Sequence, residues 1–106
     1  MSSTRIQQLE RFAKEDPDDP FNLYALALEY LKSDAGKARS IFEQLIDQHP
    51  QYVPTYYQLG QLCAEQGKTE DAVQILERGI VMARNAGDQK ALREMEGARL
   101  AILYDN

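Results

Sequence analysis

Asp16-Pro17-Asp18-Asp19-Pro20 is echoed by His49-Pro50-Gln51-Tyr52-Val53-Pro54, with Pro17 and Pro50 standing 33 residues apart. Each copy follows an amphipathic stretch and precedes an aromatic-rich one. A fixed period of about 30 to 40 residues marks stacked helical hairpins, because one hairpin cannot bury its apolar face without a neighbour. The echo therefore constrains the chain to a helical array, a surface for holding another protein rather than a catalytic pocket.

With 106 residues the chain is one small domain, expected to bury roughly two thirds of the surface its unfolded chain exposes. The single cysteine, Cys63, excludes an internal disulfide and any multi-cysteine metal site, so a reducing compartment is the expectation. The first twenty residues hold no apolar run of signal-peptide length, and no stretch approaches a membrane span. The chain reads as soluble and cytoplasmic, with no membrane partner. A net charge of −5 argues against nucleic acid, whose phosphates are held by clustered Lys and Arg. Arg84, Lys90, Arg93 and Arg99 are interleaved with Asp88, Glu94 and Glu96, the pattern of a mixed solvated face.

Six segments carry helical periodicity. The first, 3–15, places Ile6, Leu9, Phe12 and Ala13 on one stripe and stops at Asp16-Pro17. The second, 20–32, opens with Pro20 in a first helical turn and aligns Leu23, Leu26, Ala27 and Tyr30. The third, 35–48, turns Ala38, Ile41, Phe42, Leu45 and Ile46 inward, and His49-Pro50 closes it because proline disfavours helix in the residue before it. The fourth, 54–65, carries Tyr56, Leu59, Gly60 and Cys63. Thr69 is the expected N-cap of the fifth, 70–85, with Ala72, Val73, Leu76, Ile80 and Ala83 inward. Asn85-Ala86-Gly87 breaks that helix, and Asp88 caps a sixth, 89–104, on which Leu92, Met95 and Ala98 form a stripe. Sustained alternation of period two is absent, so the fold class is all-α.

Leu23-x2-Leu26-Ala27-x2-Tyr30 followed by Ala38-x3-Phe42 and Pro50, and Tyr56-x2-Leu59-Gly60-x2-Cys63 followed by Ala72-x3-Leu76, resemble the tetratricopeptide repeat. Tryptophan is absent, Cys63 replaces an aromatic, and Arg84 stands at the closing proline position. Leu9, Phe12, Ala13 and Pro17 sit one period before Phe42, Leu45, Ile46 and Pro50, so the first helix resembles the second half of a repeat. The sixth departs furthest and resembles a terminal cap. The resemblance implies one domain, a short right-handed α-α superhelix. It would comprise a leading half-repeat helix (3–15), two hairpins (20–50 and 54–85) and a capping helix (89–104).

That resemblance also implies a non-catalytic module that binds a peptide or protein segment on a concave face lined by the first helix of each pair. The positions beside the core stripe of those helices include Phe21, Tyr24, Leu28 and Lys32, then Tyr57, Gln58, Gln61 and Glu65. Tyr24 and Tyr57 are one period apart, and tyrosine offers large area, few rotors and one polar tip. A subclass of the family clamps a C-terminal carboxylate with Lys, Asn and Arg, and the mainly Tyr, Leu, Gln and Ala positions here do not match it.

No pair of catalytic groups can be named and no cofactor is expected. His49, the one histidine, reads as a solvated loop residue, and Cys63 as a small buried thiol. Glu15, Asp16, Asp18 and Asp19, and Glu70 with Asp71, match no metal cage. Asp18 or Asp19 near the start of the second helix, and Glu70 with Asp71 near the start of the fifth, sit where carboxylates favour a helix dipole. The sixth helix ends in Leu100-Ala101-Ile102-Leu103-Tyr104. Leu100, Leu103 and Tyr104 add an apolar face beyond the stripe, which sets homodimer assembly through this helix as the alternative function.

Overall fold

The computed structural model describes residues 2–104 and has six helices: α1 (Ser2–Glu15), α2 (Pro20–Tyr30), α3 (Ala35–Gln48), α4 (Pro54–Glu65), α5 (Thr69–Ala86) and α6 (Gln89–Tyr104). No strand occurs among the described residues. The chain forms two compact units, Met1–His49 and Pro50–Asn106.

In the first unit α2 packs against both α1 and α3. Pro20 occupies the first turn of α2, and the Asp19 carboxylate accepts from Phe21 N at 3.0 Å, satisfying a backbone donor that the helix cannot. The helix ends at Tyr30, two residues earlier than its pattern predicts, because Ser33 N and Asp34 N both turn back to the Tyr30 carbonyl. Asp34 then caps α3 through Lys37 N at 3.0 Å. Leu26, Ala27, Ala38, Ile41, Phe42, Leu45 and Ile46 are buried as their spacing requires, each large one contributing about 1.5–3 kcal/mol of transfer free energy. Tyr30 Oη donates to Glu10 Oε2 at 3.3 Å and ties α2 to α1. The first stripe is corrected in part. Leu9 is buried, but Phe12 is 40% exposed and Ile6 and Ala13 are half-buried, because α2 covers only one edge of α1. His49 is also more engaged than expected: its Nε2 lies 3.3 Å from the Pro17 carbonyl, joining the Asp-Pro turn to the end of α3.

In the second unit α5 packs on α4 and α6, and α4 also touches α6. The centre is Tyr56, fully buried, whose Oη donates to the Pro50 carbonyl at 2.6 Å. Two glycines set how closely the helices approach. A Cβ on Gly60 would lie 2.7 Å from Leu76 Cδ2, and one on Gly79 would lie 2.5 Å from Met95 Sδ and still nearer Tyr56 Cβ.

Both turns of this unit share one design. Gly67 (φ 77) follows α4 and Gly87 (φ 71) follows α5, and the next residue's N–H returns to a carbonyl five back, Lys68 to Cys63 at 2.9 Å and Asp88 to Ala83 at 2.9 Å. This is the Schellman arrangement, which needs a residue tolerant of positive φ. The residue after the glycine must also serve as N-cap of the next helix. Asp88 does so with its side chain, accepting from Ala91 N at 3.0 Å, whereas Lys68 has no acceptor to offer. The expected cap at Thr69 is thus corrected: the Schellman turn makes Lys68 the last non-helical residue and places Thr69 inside the first turn.

Candidate protein-binding site

The face predicted to bind a partner divides between the two units. In the first, Tyr24 is half-buried, its ring centroid 6.3 Å from that of Phe42 at a 57° tilt, an aromatic contact that holds the phenol ring in place. Phe21 is exposed at the start of α2 and Leu28 is half-buried. Lys32 falls beyond the helix end, in the turn, where its Nζ donates to Glu29 Oε2 at 3.0 Å.

In the second unit Tyr57, Gln58 and Gln61 are half-buried on α4 and Glu65 is exposed at its end. Gln61 Nε2 donates to Tyr57 Oη at 3.2 Å, a contact that their i, i+4 spacing makes available. Tyr57 and Gln61 form one wall of a cleft of about 390 Å³, and Arg93, Glu94, Gly97, Ala98, Ala101 and Ile102 of α6 form the other. The small residues on α6 leave the floor bare, and opposite charges stand at one end. Sequence reasoning did not place these six residues at a site. The signal available was their i, i+4 recurrence, Gly97 to Ala101 and Ala98 to Ile102, but nothing local states that α6 crosses α4.

The first unit has a cleft of its own, about 380 Å³, floored by Leu23 and Leu26 and rimmed by Glu10 and Lys14 of α1 and Gln44 and Gln48 of α3. Leu100, Leu103 and Tyr104 are 49%, 42% and 79% exposed on α6. Cys63 is fully buried. Among the described residues, no three His, Cys, Asp or Glu side chains converge as a metal site, and no helix is long and apolar enough to cross a membrane. Four acidic residues mark helix starts: Asp19 and Asp34 as caps, Glu70 and Asp71 in the first turn of α5.

The helical hairpins have counterparts among known proteins. A family model for the tetratricopeptide repeat matches residues 29–95. The chain belongs to the tetratricopeptide repeat family. A crystal structure of a tetratricopeptide repeat domain protein from Salinibacter ruber is similar with a TM-score of 0.80 and 43% identity, covering 83% of this chain and 100% of that one. A solution structure of a tetratricopeptide repeat domain protein from the same organism gives 0.78 and 46%, covering 82% and 89%. A Bordetella parapertussis protein shares the fold at 22% identity, with a TM-score of 0.79 and coverage of 94% and 88%. A TPR repeat-containing protein of Pseudomonas aeruginosa is 29% identical over 91 residues, 85% of this chain and 87% of its own length. Tetratricopeptide repeat domains are commonly protein–protein interaction scaffolds, without chemistry of their own.

Proposed function

We propose that this tetratricopeptide repeat protein is a non-catalytic module that holds a peptide or extended protein segment, with 20–50 and 54–85 acting as its two complete repeats. The contact residues are Phe21, Tyr24, Leu28 and Lys32 on the first and Tyr57, Gln58, Gln61 and Glu65 on the second.

The observation that carries the reading is the Tyr57–Gln61 pair on the wall of the α4–α6 cleft. With Gln61 Nε2 donating to the phenol oxygen, the phenol proton and Gln61 Oε1 are left to face a ligand as one donor and one acceptor. That pair matches a peptide unit, which presents one of each. The bare floor at Gly97, Ala98 and Ala101 suits an apolar side chain between them. A rigid tyrosine in a partly desolvated pocket is the residue type that dominates such contacts.

A displayed peptide library panned on the intact protein tests this. Selected peptides should bind Tyr57→Ala at least about 30-fold more weakly, the loss expected of a contact worth about 2 kcal/mol. For selected peptides that Tyr57→Ala leaves unaffected, Tyr24→Ala tests the contact residues of the first repeat in the same way. Peptides that bind both variants as well as the parent chain would refute the site.

A further inference from the structure

Gly97 lies in the middle of α6, and a Cβ added there would meet nothing within 4 Å. A glycine inside a helix costs about 0.5–1 kcal/mol relative to alanine, and the chain's own packing gives no return for it. Gly60 and Gly79 differ, since neighbouring side chains occupy the space their missing Cβ atoms leave.

Gly97, Leu100, Ala101 and Tyr104 recur at i, i+3, i+4 and i+7 and are all exposed, so they form one straight stripe on α6 whose Gly97 and Ala101 also edge the cleft toward α4. Lys90, Arg93 and Glu94, all exposed, continue it toward the N-terminus. From start to end the stripe therefore runs charged, with two cations and one carboxylate, then empty, bulky and aromatic.

We propose that this stripe pairs with its own copy, antiparallel, about a two-fold axis passing between residues 98 and 99. That axis seats Leu100 of one chain in the gap over Gly97 of the second copy. The same register, with no further adjustment, sets Tyr104 opposite Arg93 of the second copy, a guanidinium on an aromatic ring. Charge favours the same direction by a margin of one: Lys90 and Arg93, offset in part by Glu94, come to the C-terminal end of the facing helix, where the helix dipole is negative. A parallel pairing would instead set Arg93 on Arg93 and leave the two Gly97 gaps facing each other. The contact is isologous and closes at two copies. Leu100, Tyr104, Ala101, Gly97 and the Arg93 stem cover on the order of 1,000 Å² counting both copies, at the lower edge of specific interfaces. The dimer is accordingly weak, forming at about 10–100 µM.

Because the monomer has open space at Gly97, Gly97→Gln separates folding from association. The single-chain helix should become more stable while the gap for Leu100 of the second copy is filled. Sedimentation equilibrium from about 10 to 500 µM brackets the range expected for so small an interface. The average mass of the parent chain should rise from 12.1 kDa toward twice that value. Gly97→Gln should stay at the single-chain mass while keeping full helix content, and Tyr104→Ala should weaken association several-fold. A parent chain monomeric throughout overturns the proposal, as does a Gly97→Gln variant that associates like the parent, or a mass that grows beyond two copies. Arg93, Gly97 and Ala101 also line the α4–α6 cleft, so a second copy and a cleft-bound peptide would compete for them. The mass is read without peptide, and its outcome is independent of the peptide-binding test.

Discussion

Gly79→Ala is the sharpest test of how the second unit is packed. In an open helix interior the change would stabilise by about 0.5–1 kcal/mol, because alanine loses less backbone entropy on folding. At position 79 the new methyl would lie 2.5 Å from Met95 Sδ and still closer to Tyr56 Cβ, where ordinary contact begins at 3.4 Å. Methionine can rotate away, but Tyr56 Cβ is fixed to the α4 backbone. The tyrosine is also anchored at its far end by the 2.6 Å bond to the Pro50 carbonyl. Relief therefore requires α4 and α5 to part by about 1 Å, and overpacking of this kind costs about 1–3 kcal/mol. Straining the Tyr56 bond adds about 0.5–1.5 kcal/mol. After the propensity gain is subtracted, a net loss of about 0.5–4 kcal/mol remains, and each kcal/mol lowers Tm by roughly 4–8 °C in a domain of this size. Urea and thermal unfolding followed by far-UV circular dichroism measure it at low micromolar concentration. Gly97→Ala is the matched control and should gain about 0.5–1 kcal/mol. If Gly79→Ala proves as stable as the parent or more so, the close approach of α4, α5 and α6 at this point is wrong.

Two further outcomes follow from single atoms. Thr55 is fully buried and its Oγ1 has no hydrogen-bond partner. Thr55→Val keeps the shape and removes the orphan, so it should stabilise by about 1 kcal/mol in urea titration, and a loss of stability would show that the hydroxyl is satisfied. Tyr56 and Tyr30 respond to alkali. Burial raises the Tyr56 phenol above its ordinary value of 10.0, against a smaller lowering by Arg78. Burial and the Glu10 carboxylate raise Tyr30. A raised folded-state value means the native protein holds a proton that the unfolded chain releases, so their contribution is intact below about pH 10 and declines as pH rises past it. Tyr56→Phe should be less stable at neutral pH by about 0.5–1.5 kcal/mol, yet lose less between pH 10 and 11, and an unchanged alkaline slope would count against the assignment.

What the sequence by itself determined here is local. Pro17, Pro20, Pro50 and Pro54 and the glycines at 67 and 87 bound the helices to within two residues, since they act through the φ of their own and adjacent residues. The stripe of α3 was read correctly in full, because a helix covered along its length buries every residue of the stripe. The repeat showed in the 33-residue spacing, and the resemblance to the tetratricopeptide repeat in the residues that carry its pattern, among them Leu26, Ala27, Tyr30, Ala38 and Phe42.

Tertiary structure decided which parts of each stripe are covered. Phe12 has the spacing of a core residue and is exposed, while Thr55 and Leu62, off the predicted stripe, are buried. Burial depends on neighbours that periodicity does not name. Thr69 lost its capping role to Lys68 because the turn before it claimed a backbone conformation, a competition between two adjacent rules. Gly79 looked ordinary until Tyr56 and Met95 were brought against it from helices more than a dozen residues away in either direction. The cleft likewise exists only because α6 crosses α4, joining Tyr57 and Gln61 to Gly97 and Ala101 across some forty residues of chain. Helices are built from contacts three and four residues apart, and sequence reports those directly. Sites are built from the approach of distant faces, which is set by the sizes of the side chains between them.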